Sequence, residues 1–312
     1  MKVGILFSGQ GAQFSNMGLD FYQNSKAYQE TLKRLSGYLQ KDLVAFCKNQ
    51  HNELLQTKNV QTAITAFGLG VFHQLQQDLP TIETVAMLGL SLGEYTALMA
   101  AGAFDEKTGI RLLQARADYM QADAEQTDGS MVAVLRADVQ KVAKICQQVT
   151  GEVKHFVGIA NYNTEQQVVI GGQSEAVQRA ITTMKDQGIK KVISLKVSGA
   201  FHTPLFKNTS QKLANYLTNV SVRNWQIPVI SNTTTEKFVP NKLKITLAKQ
   251  VISPTHFADC LKNLQKNYQP DLLIEVGPGK TLSKFANRTL PDVPVVAIGK
   301  WETYQKFLTT IK

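Results

Sequence analysis

The fold of this chain is decided by residues 84–93, whose sequence is TVAMLGLSLG. Residues 84–88 form a short apolar run that predicts a buried strand, and the pattern from 92 to 101 predicts a helix. Between them lies Gly89-Leu90-Ser91-Leu92-Gly93, a G-x-S-x-G sequence typical of a nucleophile elbow. The glycines let strand and helix approach closely, and the helix N-terminus adds free N–H groups and partial positive charge. We therefore predict an exposed serine nucleophile; the alternative is a glycine-rich turn with a serine near the helix N-cap.

Strand and helix patterns alternate on both sides of this turn. Residues 3–7 predict a first strand that ends in the turn Gly9-Gln10-Gly11, and a helical pattern runs from about residue 61 to residue 77. Further buried strands are predicted at 229–231, 272–276 and 295–298. Such alternation indicates a parallel α/β sheet.

A different order is found between residues 129 and 197. The predicted elements are strands at 131–135, 157–160, 167–170 and 191–197, and helices at 139–149 and 174–187. This βαββαβ order is the ferredoxin-like pattern. We therefore predict an α/β-hydrolase-like parallel-sheet core, formed by residues 1–127 and 198–312, with an inserted ferredoxin-like subdomain at 128–197.

Composition limits the function classes. The 312 residues are 43% apolar, and no apolar run approaches the roughly 18 residues that span a membrane. The N-terminal apolar core is too short for a secretory signal, so we expect a cytoplasmic protein without a membrane partner. Three widely spaced cysteines without a paired motif argue against metal and disulfide roles.

The net charge of +10 suggests anionic partners. A nucleic-acid partner is not expected, because no dense Lys/Arg stretch with interleaved aromatics is present. Phosphorylated small molecules and an acidic carrier protein fit the charge equally well.

A serine nucleophile needs a general base. The chain has five histidines, which are His51, His73, His155, His202 and His256. His202 lies in the loop 198–204, directly after the strand predicted to end at residue 197. Sites of α/β proteins gather at the carboxyl ends of parallel strands, so we predict His202 as the base. His256, near a helix start, is the second candidate.

Two glycine-rich segments fail as nucleotide motifs. The segment 9–14 has Phe14 where the third glycine of a dinucleotide fingerprint belongs. Gly279-Lys280-Thr281 resembles the end of a P-loop, but Ile274 occupies the first-glycine position. The first segment instead offers a turn whose backbone N–H groups could face the Ser91 site.

Four segments together resemble a known family. They are GQGAQ at 9–13, GLSLGEY at 89–95, GAFH at 199–202 and EVGPGK at 275–280. In this order they resemble malonyl-CoA:acyl-carrier-protein transacylase, over nearly the whole chain. The resemblance implies that Ser91 is the nucleophile, that His202 is its base, and that the backbone N–H groups of Gln10 and Leu92 form the oxyanion hole.

The resemblance implies further roles. Arg116 would grip the malonyl carboxylate, since a planar guanidinium matches a carboxylate in two hydrogen bonds; without the resemblance it would be taken for a solvated helix arginine. The backbone carbonyl of Gln250 would orient the imidazole, in a Ser–His pair that lacks an acidic third member. Asn232 would line the site, and the ring of Phe201 would favour malonyl over methylmalonyl groups. One departure is Leu90, where the family usually has histidine.

The reaction implied is a ping-pong transfer of malonyl from malonyl-CoA to the phosphopantetheine thiol of acyl-carrier protein, for fatty acid biosynthesis. No bound cofactor and no metal are expected, and we expect a monomer. The alternatives are an acyltransferase serving a polyketide synthase, a serine hydrolase or thioesterase that does not require Arg116, and a non-enzymatic carrier-binding module.

Overall fold

The structure, a computed structural model, describes residues 1–311. The strands are β1 (Lys2–Phe7), β2 (Glu83–Gly89), β3 (Gly129–Leu135), β4 (Val157–Thr164), β5 (Gln167–Gln173), β6 (Val192–Ser194), β7 (Val229–Ile230), β8 (Leu272–Val276) and β9 (Val295–Ile298). The helices are α1 (Leu19–Asn24), α2 (Lys26–Leu39), α3 (Leu43–Lys48), α4 (Thr57–Asp78), α5 (Leu92–Ala100), α6 (Glu106–Gln126), α7 (Val139–Val153), α8 (Ser174–Asp186), α9 (Lys207–Thr218), α10 (Pro240–Gln250), α11 (Phe257–Tyr268), α12 (Thr281–Thr289) and α13 (Trp301–Ile311).

The larger sheet is parallel and has the strand order β7-β2-β1-β8-β9. Its central strands are apolar and buried along almost their whole length, as in β1, where Val3 to Phe7 are all buried. Continuous apolar strands are expected where helices cover both faces of a parallel sheet. The predicted parallel α/β core is confirmed.

The long helix α4 lies at the centre of this core. It packs against α2, α5 and α6, and most of its 22 residues are buried. Its buried face therefore includes polar residues, of which Gln61 is fully buried. The helix begins at Thr57, earlier than the predicted start near residue 61, and its first turn is already buried at Thr57 and Asn59.

The smaller sheet is antiparallel and has the order β4-β5-β3-β6. Helices α7 and α8 pack on it through a separate apolar cluster that includes Val132, Ile145, Ile170 and Met184. The order and direction of these strands are those of a ferredoxin-like unit, so this part of the predicted fold class is confirmed.

Strand β6 is shorter than predicted. It spans Val192–Ser194 instead of 191–197, and it is an edge strand that pairs with β3 alone. The ladder ends where the Val197 N–H turns back to donate to the Leu195 carbonyl, at 3.1 Å. The chain that leads to residue 202 therefore leaves an antiparallel edge.

The smaller sheet is joined to the segment just before α11. Asn161 of β4 forms a parallel bridge with Thr255, which lies just before α11. The Tyr162 N–H donates to the Thr255 carbonyl at 2.7 Å, and the Asn161 amide donates to the Thr255 hydroxyl at 2.7 Å.

Within residues 1–311, no helix combines the length and apolar character that crossing a membrane requires.

Candidate active site

Ser91 occupies a sharp turn between β2 and α5. Its backbone angles are φ 55° and ψ −106°, a sparsely populated conformation for a residue with a side chain. A Cβ added at Gly89 would lie 1.9 Å from the carbonyl carbon of Gly93, and one at Gly93 would lie 2.3 Å from the Phe7 oxygen. Both glycines are therefore required for this strand and helix to meet at the strained serine.

His202 and Ser91 are in direct contact. The imidazole Nε2 lies 2.7 Å from the Ser91 hydroxyl oxygen, and Nδ1 lies 2.9 Å from the backbone carbonyl of Gln250. A carbonyl oxygen only accepts hydrogen bonds, so Nδ1 carries the ring proton in the neutral imidazole. The unprotonated Nε2 then faces the serine hydroxyl, which is the tautomer that a general base needs.

Burial keeps this imidazole uncharged. His202 is 4% exposed, and its pKa is lowered from 6.5 to about 4, first by desolvation and second by the nearby Arg116 guanidinium. At neutral pH the ring is therefore free to accept a proton. The residue also has a positive φ of 62°, so both members of the pair have strained backbones.

The route by which His202 reaches the site differs from the prediction. The expectation that it follows a parallel strand is wrong, because β6 belongs to the antiparallel sheet. The loop is held instead by local contacts: the Thr203 hydroxyl donates to the Ala200 carbonyl at 2.6 Å, and Phe201 packs on Phe206 with ring centroids 5.1 Å apart.

His256, the second candidate base, has other partners. Its ring stacks on Tyr162 with centroids 4.8 Å apart, and its Nδ1 lies 3.8 Å from a carboxylate oxygen of Asp259. Of the two histidines, the structure brings only His202 to Ser91.

Arg116 enters the site from α6. It is 1% exposed, which excludes a solvated helix arginine. Its Nη2 lies 3.0 Å from the Ser91 hydroxyl oxygen and 2.9 Å from the Gln250 side-chain oxygen, and its Nη1 lies 2.5 Å from that of Gln61. The guanidinium carbon also lies 5.2 Å from the centre of the Tyr95 ring.

This guanidinium lacks a carboxylate partner. Within residues 1–311 no acidic oxygen lies within 4.0 Å of it, and its buried Nε has no hydrogen-bond partner there. Removal from water lowers the pKa of Arg116, although an arginine stays charged in proteins. A buried cation held by neutral acceptors beside a serine hydroxyl fits an anionic ligand.

Asn232 and Gln250 hold the backbone of the elbow. The Asn232 side-chain oxygen accepts from the Ser91 N–H at 2.8 Å, and its amide donates to the Gly89 carbonyl at 2.8 Å. The Gln250 amide donates to the Ser91 carbonyl at 2.9 Å. Asn232 is fully buried and its side chain is occupied by the elbow, so direct contact with a substrate stays a prediction.

Gln10 and Leu92 flank the elbow. A Cβ added at Gly9 would lie 2.6 Å from the Leu90 oxygen, so the turn that carries Gln10 packs directly on the turn that carries Ser91. Leu92 is the first residue of α5. Within residues 1–311 neither backbone N–H has a protein acceptor, so both are available to a developing oxyanion.

Sequence reasoning missed two buried polar residues. Glu94, in the first turn of α5, accepts hydrogen bonds from the Asn232 N–H and the Gln250 amide, and burial raises its pKa to about 7. Gln61 contacts Arg116 from α4. Two sequence signals could have found them. Glu94 is a carboxylate in an otherwise apolar helix start, and Gln61 is an amide on a helix that is apolar on most sides.

Comparisons with known proteins identify the family of the chain. Residues 5–310 match the acyl transferase domain family. The malonyl CoA-acyl carrier protein transacylase of Bacillus subtilis is 31% identical over 100% of this chain and 98% of its own length, and that of Haemophilus influenzae is 30% identical over 95% of each.

Solved structures give the same result. MCAT from Streptococcus pneumoniae superimposes with a TM-score of 0.93 at 35% identity, over 99% of each chain. A malonyl-transacylase in complex with its type II PKS acyl-carrier protein superimposes with a TM-score of 0.94 at 28% identity, over 99% of this chain and 100% of that one. The chain therefore belongs to the acyl transferase domain family and, within it, to the malonyl-CoA:acyl-carrier-protein transacylases.

Proposed function

We propose that this chain transfers a malonyl group from malonyl-CoA to the phosphopantetheine thiol of acyl-carrier protein, through an acyl-enzyme on Ser91, for fatty acid biosynthesis. The observation that carries the proposal is the buried Arg116 guanidinium, 3.0 Å from the Ser91 hydroxyl oxygen and without a carboxylate partner in residues 1–311. An acyl group esterified to Ser91 with a terminal carboxylate would supply that missing partner.

The first half-reaction follows from the Ser–His geometry. His202 Nε2 takes the hydroxyl proton as the Ser91 oxygen attacks the thioester carbonyl, and the Gln10 and Leu92 N–H groups stabilise the oxyanion, an effect typically worth about 10²–10³ in rate for each donor. When the carbon–sulfur bond breaks, the imidazolium returns the proton to the departing CoA thiolate. The Gln250 carbonyl keeps the Nδ1 proton in place throughout.

The second half-reaction reverses the roles. The carrier thiol gives its proton to His202 and attacks the serine ester, and Ser91 leaves as the alkoxide that recovers this proton. No bound cofactor takes part; the phosphopantetheine belongs to the carrier. The Arg116 guanidinium, which donates to Ser91 in the free protein, binds the malonyl carboxylate in the acyl-enzyme and holds it away from the ester carbonyl.

We propose that Phe201 restricts the acyl group. The ring is 6% exposed and is braced by Phe206, so it cannot move away easily from a substituent on the malonyl α-carbon. Asn232 acts mainly through the backbone of Ser91.

The wider assignments follow from the same proposal. The division of the chain into residues 1–127 with 198–312 and an inserted 128–197 puts Ser91, Arg116, His202 and Gln250 in the larger part. A net charge of +10 suits CoA phosphates and an acidic carrier. We expect the protein to act as a monomer.

Substitution of Arg116 by alanine tests the substrate class. We expect kcat/KM for malonyl-CoA to fall by about 30-fold to 10³-fold, because a buried charged hydrogen-bond partner is lost, while acetyl transfer is retained or improved. Arg111→Ala is the matched control, since this exposed arginine of the same helix contacts only the Tyr38 carbonyl and should behave like the wild type.

Equal losses for malonyl-CoA and acetyl-CoA in Arg116→Ala would contradict the assignment. Release of free malonate by the wild type, independent of any carrier, would favour the hydrolase alternative instead.

A further inference from the structure

Glu94 is a buried carboxylate that the mechanism above does not use. It lies three residues after Ser91 in the first turn of α5 and is fully buried. One carboxylate oxygen accepts the Asn232 backbone N–H, and the other accepts the Gln250 side-chain amide. Burial disfavours a carboxylate at this depth, and these two hydrogen bonds together with the nearby Arg116 charge favour its ionised form.

Both partners of Glu94 touch the reacting groups. Asn232 accepts the Ser91 N–H at 2.8 Å. Gln250 accepts from Arg116 at 2.9 Å through its side chain and from His202 Nδ1 at 2.9 Å through its backbone carbonyl. Nucleophile, base and guanidinium are thus each one residue removed from the same carboxylate.

The charged and titratable groups around Glu94 also link it to Arg116. The titratable groups that face Glu94 are Arg116 from α6, Cys260 from α11 and Tyr95 from its own helix. Burial raises the pKa of both the Cys260 thiol and the Tyr95 hydroxyl, which are therefore neutral at neutral pH. Arg116 is the member of this set that carries charge, and Gln250 bridges it to Glu94.

We propose that the Glu94 carboxylate is a positioning residue, which fixes Gln250 and Asn232 and through them sets the placement of His202, Arg116 and Ser91. The kinetic consequence of this inference rests on the proposed function. The ionised form is the competent one, because a protonated oxygen would turn an O–H group toward one of two hydrogen-bond donors.

This positioning is titratable near neutral pH. Desolvation raises the pKa of Glu94 from 4.5 to about 7, whereas the pKa of His202 is about 4. Activity should therefore rise between about pH 6 and about pH 8 as Glu94 ionises. This rising limb of the pH–rate profile is not produced by His202.

The test compares Glu94→Gln and Glu94→Asp with Glu275→Gln. Glutamine keeps the shape of Glu94 but turns an amide toward a donor, so kcat/KM for malonyl-CoA should fall about 10- to 100-fold and its profile should be flat from about pH 6 to about pH 8. Aspartate stays titratable, so it should keep a limb at a reduced rate. Glu275, a fully buried glutamate on β8, accepts hydrogen bonds from Ser283 and Leu282; its variant should lose stability and keep the limb.

A second readout does not depend on acyl transfer. The rate at which a fluorophosphonate labels Ser91 reports the Ser91–His202 geometry, and it should show the same limb in the wild type and lose it in Glu94→Gln. If the wild type forms no malonyl adduct but labelling behaves in this way, the proposed function fails and the role of Glu94 stands. A wild type without the limb, or a Glu94→Gln variant that retains the wild-type rates and limb, overturns the inference. Should Glu94→Gln not fold, the limb in the wild type and its persistence in Glu94→Asp decide the matter.

Discussion

The Ser91 elbow and the His202 loop bring their side chains to within 2.7 Å of each other, but the chain builds them differently. Both residues have a positive φ, 55° at Ser91 and 62° at His202. The elbow is specified within five residues, because its strand and helix approach so closely that only glycine fits at positions 89 and 93. The loop contains no such local signature, and His202 is held by the carbonyl of a residue 48 positions away.

This difference shows where strain is compensated. At the elbow the cost of an unfavourable backbone is offset by contacts to Asn232 and Gln250, which come from distant segments but grip a shape already set by the glycines. At the loop, local contacts of Thr203 and Phe201 hold the backbone, and the distant Gln250 carbonyl orients the imidazole. Local changes should therefore damage the elbow through folding, and changes to the loop should damage the chemistry.

Loss of the imidazole should have the largest effect. We expect His202→Ala to lower kcat by about 10²- to 10⁴-fold, the usual contribution of a positioned general base, in steady-state transfer to holo acyl-carrier protein. His256→Ala is the control and should remain within about twofold of the wild type, because its ring contacts Tyr162 and not the serine. A larger loss in His256→Ala than in His202→Ala would reverse the assignment of the base.

Loss of a glycine should break the elbow by a different route. In Gly93→Ala the new methyl group would lie 2.3 Å from the Phe7 oxygen, so we expect a loss of about 3 kcal/mol in the free energy of unfolding, measured in urea. Gly37→Ala in α2, where nothing lies within 4 Å, should instead stabilise the protein by about 1 kcal/mol. Equal stability of Gly93→Ala and wild type would show that the elbow tolerates a wider turn.

The pH dependence of stability tests whether His202 is buried in its neutral form. The pKa of His202 is about 4 in the folded protein and near 6.5 when exposed, so the unfolded chain binds the extra proton. Its contribution to stability is complete above pH 6.5 and is lost as the pH falls toward 4. The free energy of unfolding of His202→Asn, relative to wild type, should therefore rise by about 2 kcal/mol from about pH 7.5 to about pH 5.

Urea titrations at the two pH values measure this difference. Glu94 has the opposite linkage, but it is present in both proteins and cancels from the comparison. A difference that does not change with pH would mean that His202 is not buried in its neutral form.

The helices, strands and site residues are easier to predict from the sequence than the way in which they pack together. The elbow, the parallel core and the ferredoxin-like order are local patterns of glycine and apolar spacing, and they are confirmed. The prediction that His202 follows a parallel strand is wrong, since nothing local marks where β6 ends or which sheet it joins. The family resemblance also assigned His202 as the partner of Ser91, and the two side chains are in contact. The spacing of residues in the sequence does not by itself predict this contact.

The buried support of the site was harder to predict. Glu94 lies inside the segment 89–95, yet its partners are Asn232 and Gln250, which come close to it only after folding. Arg116 illustrates the same point, because an arginine on an amphipathic helix is ordinarily solvated and only the packing of α4, α5 and α6 buries it.

The most direct test of an acyl-enzyme on Ser91 is the mass of the intact protein after brief incubation with malonyl-CoA, compared with Ser91→Ala. The Ser91 acyl-enzyme mechanism predicts a gain of one malonyl group on the wild type, no gain on the variant, and discharge of the adduct by holo acyl-carrier protein. An adduct of equal yield on Ser91→Ala, or the absence of any adduct together with CoA release no greater than that of the variant, would contradict it.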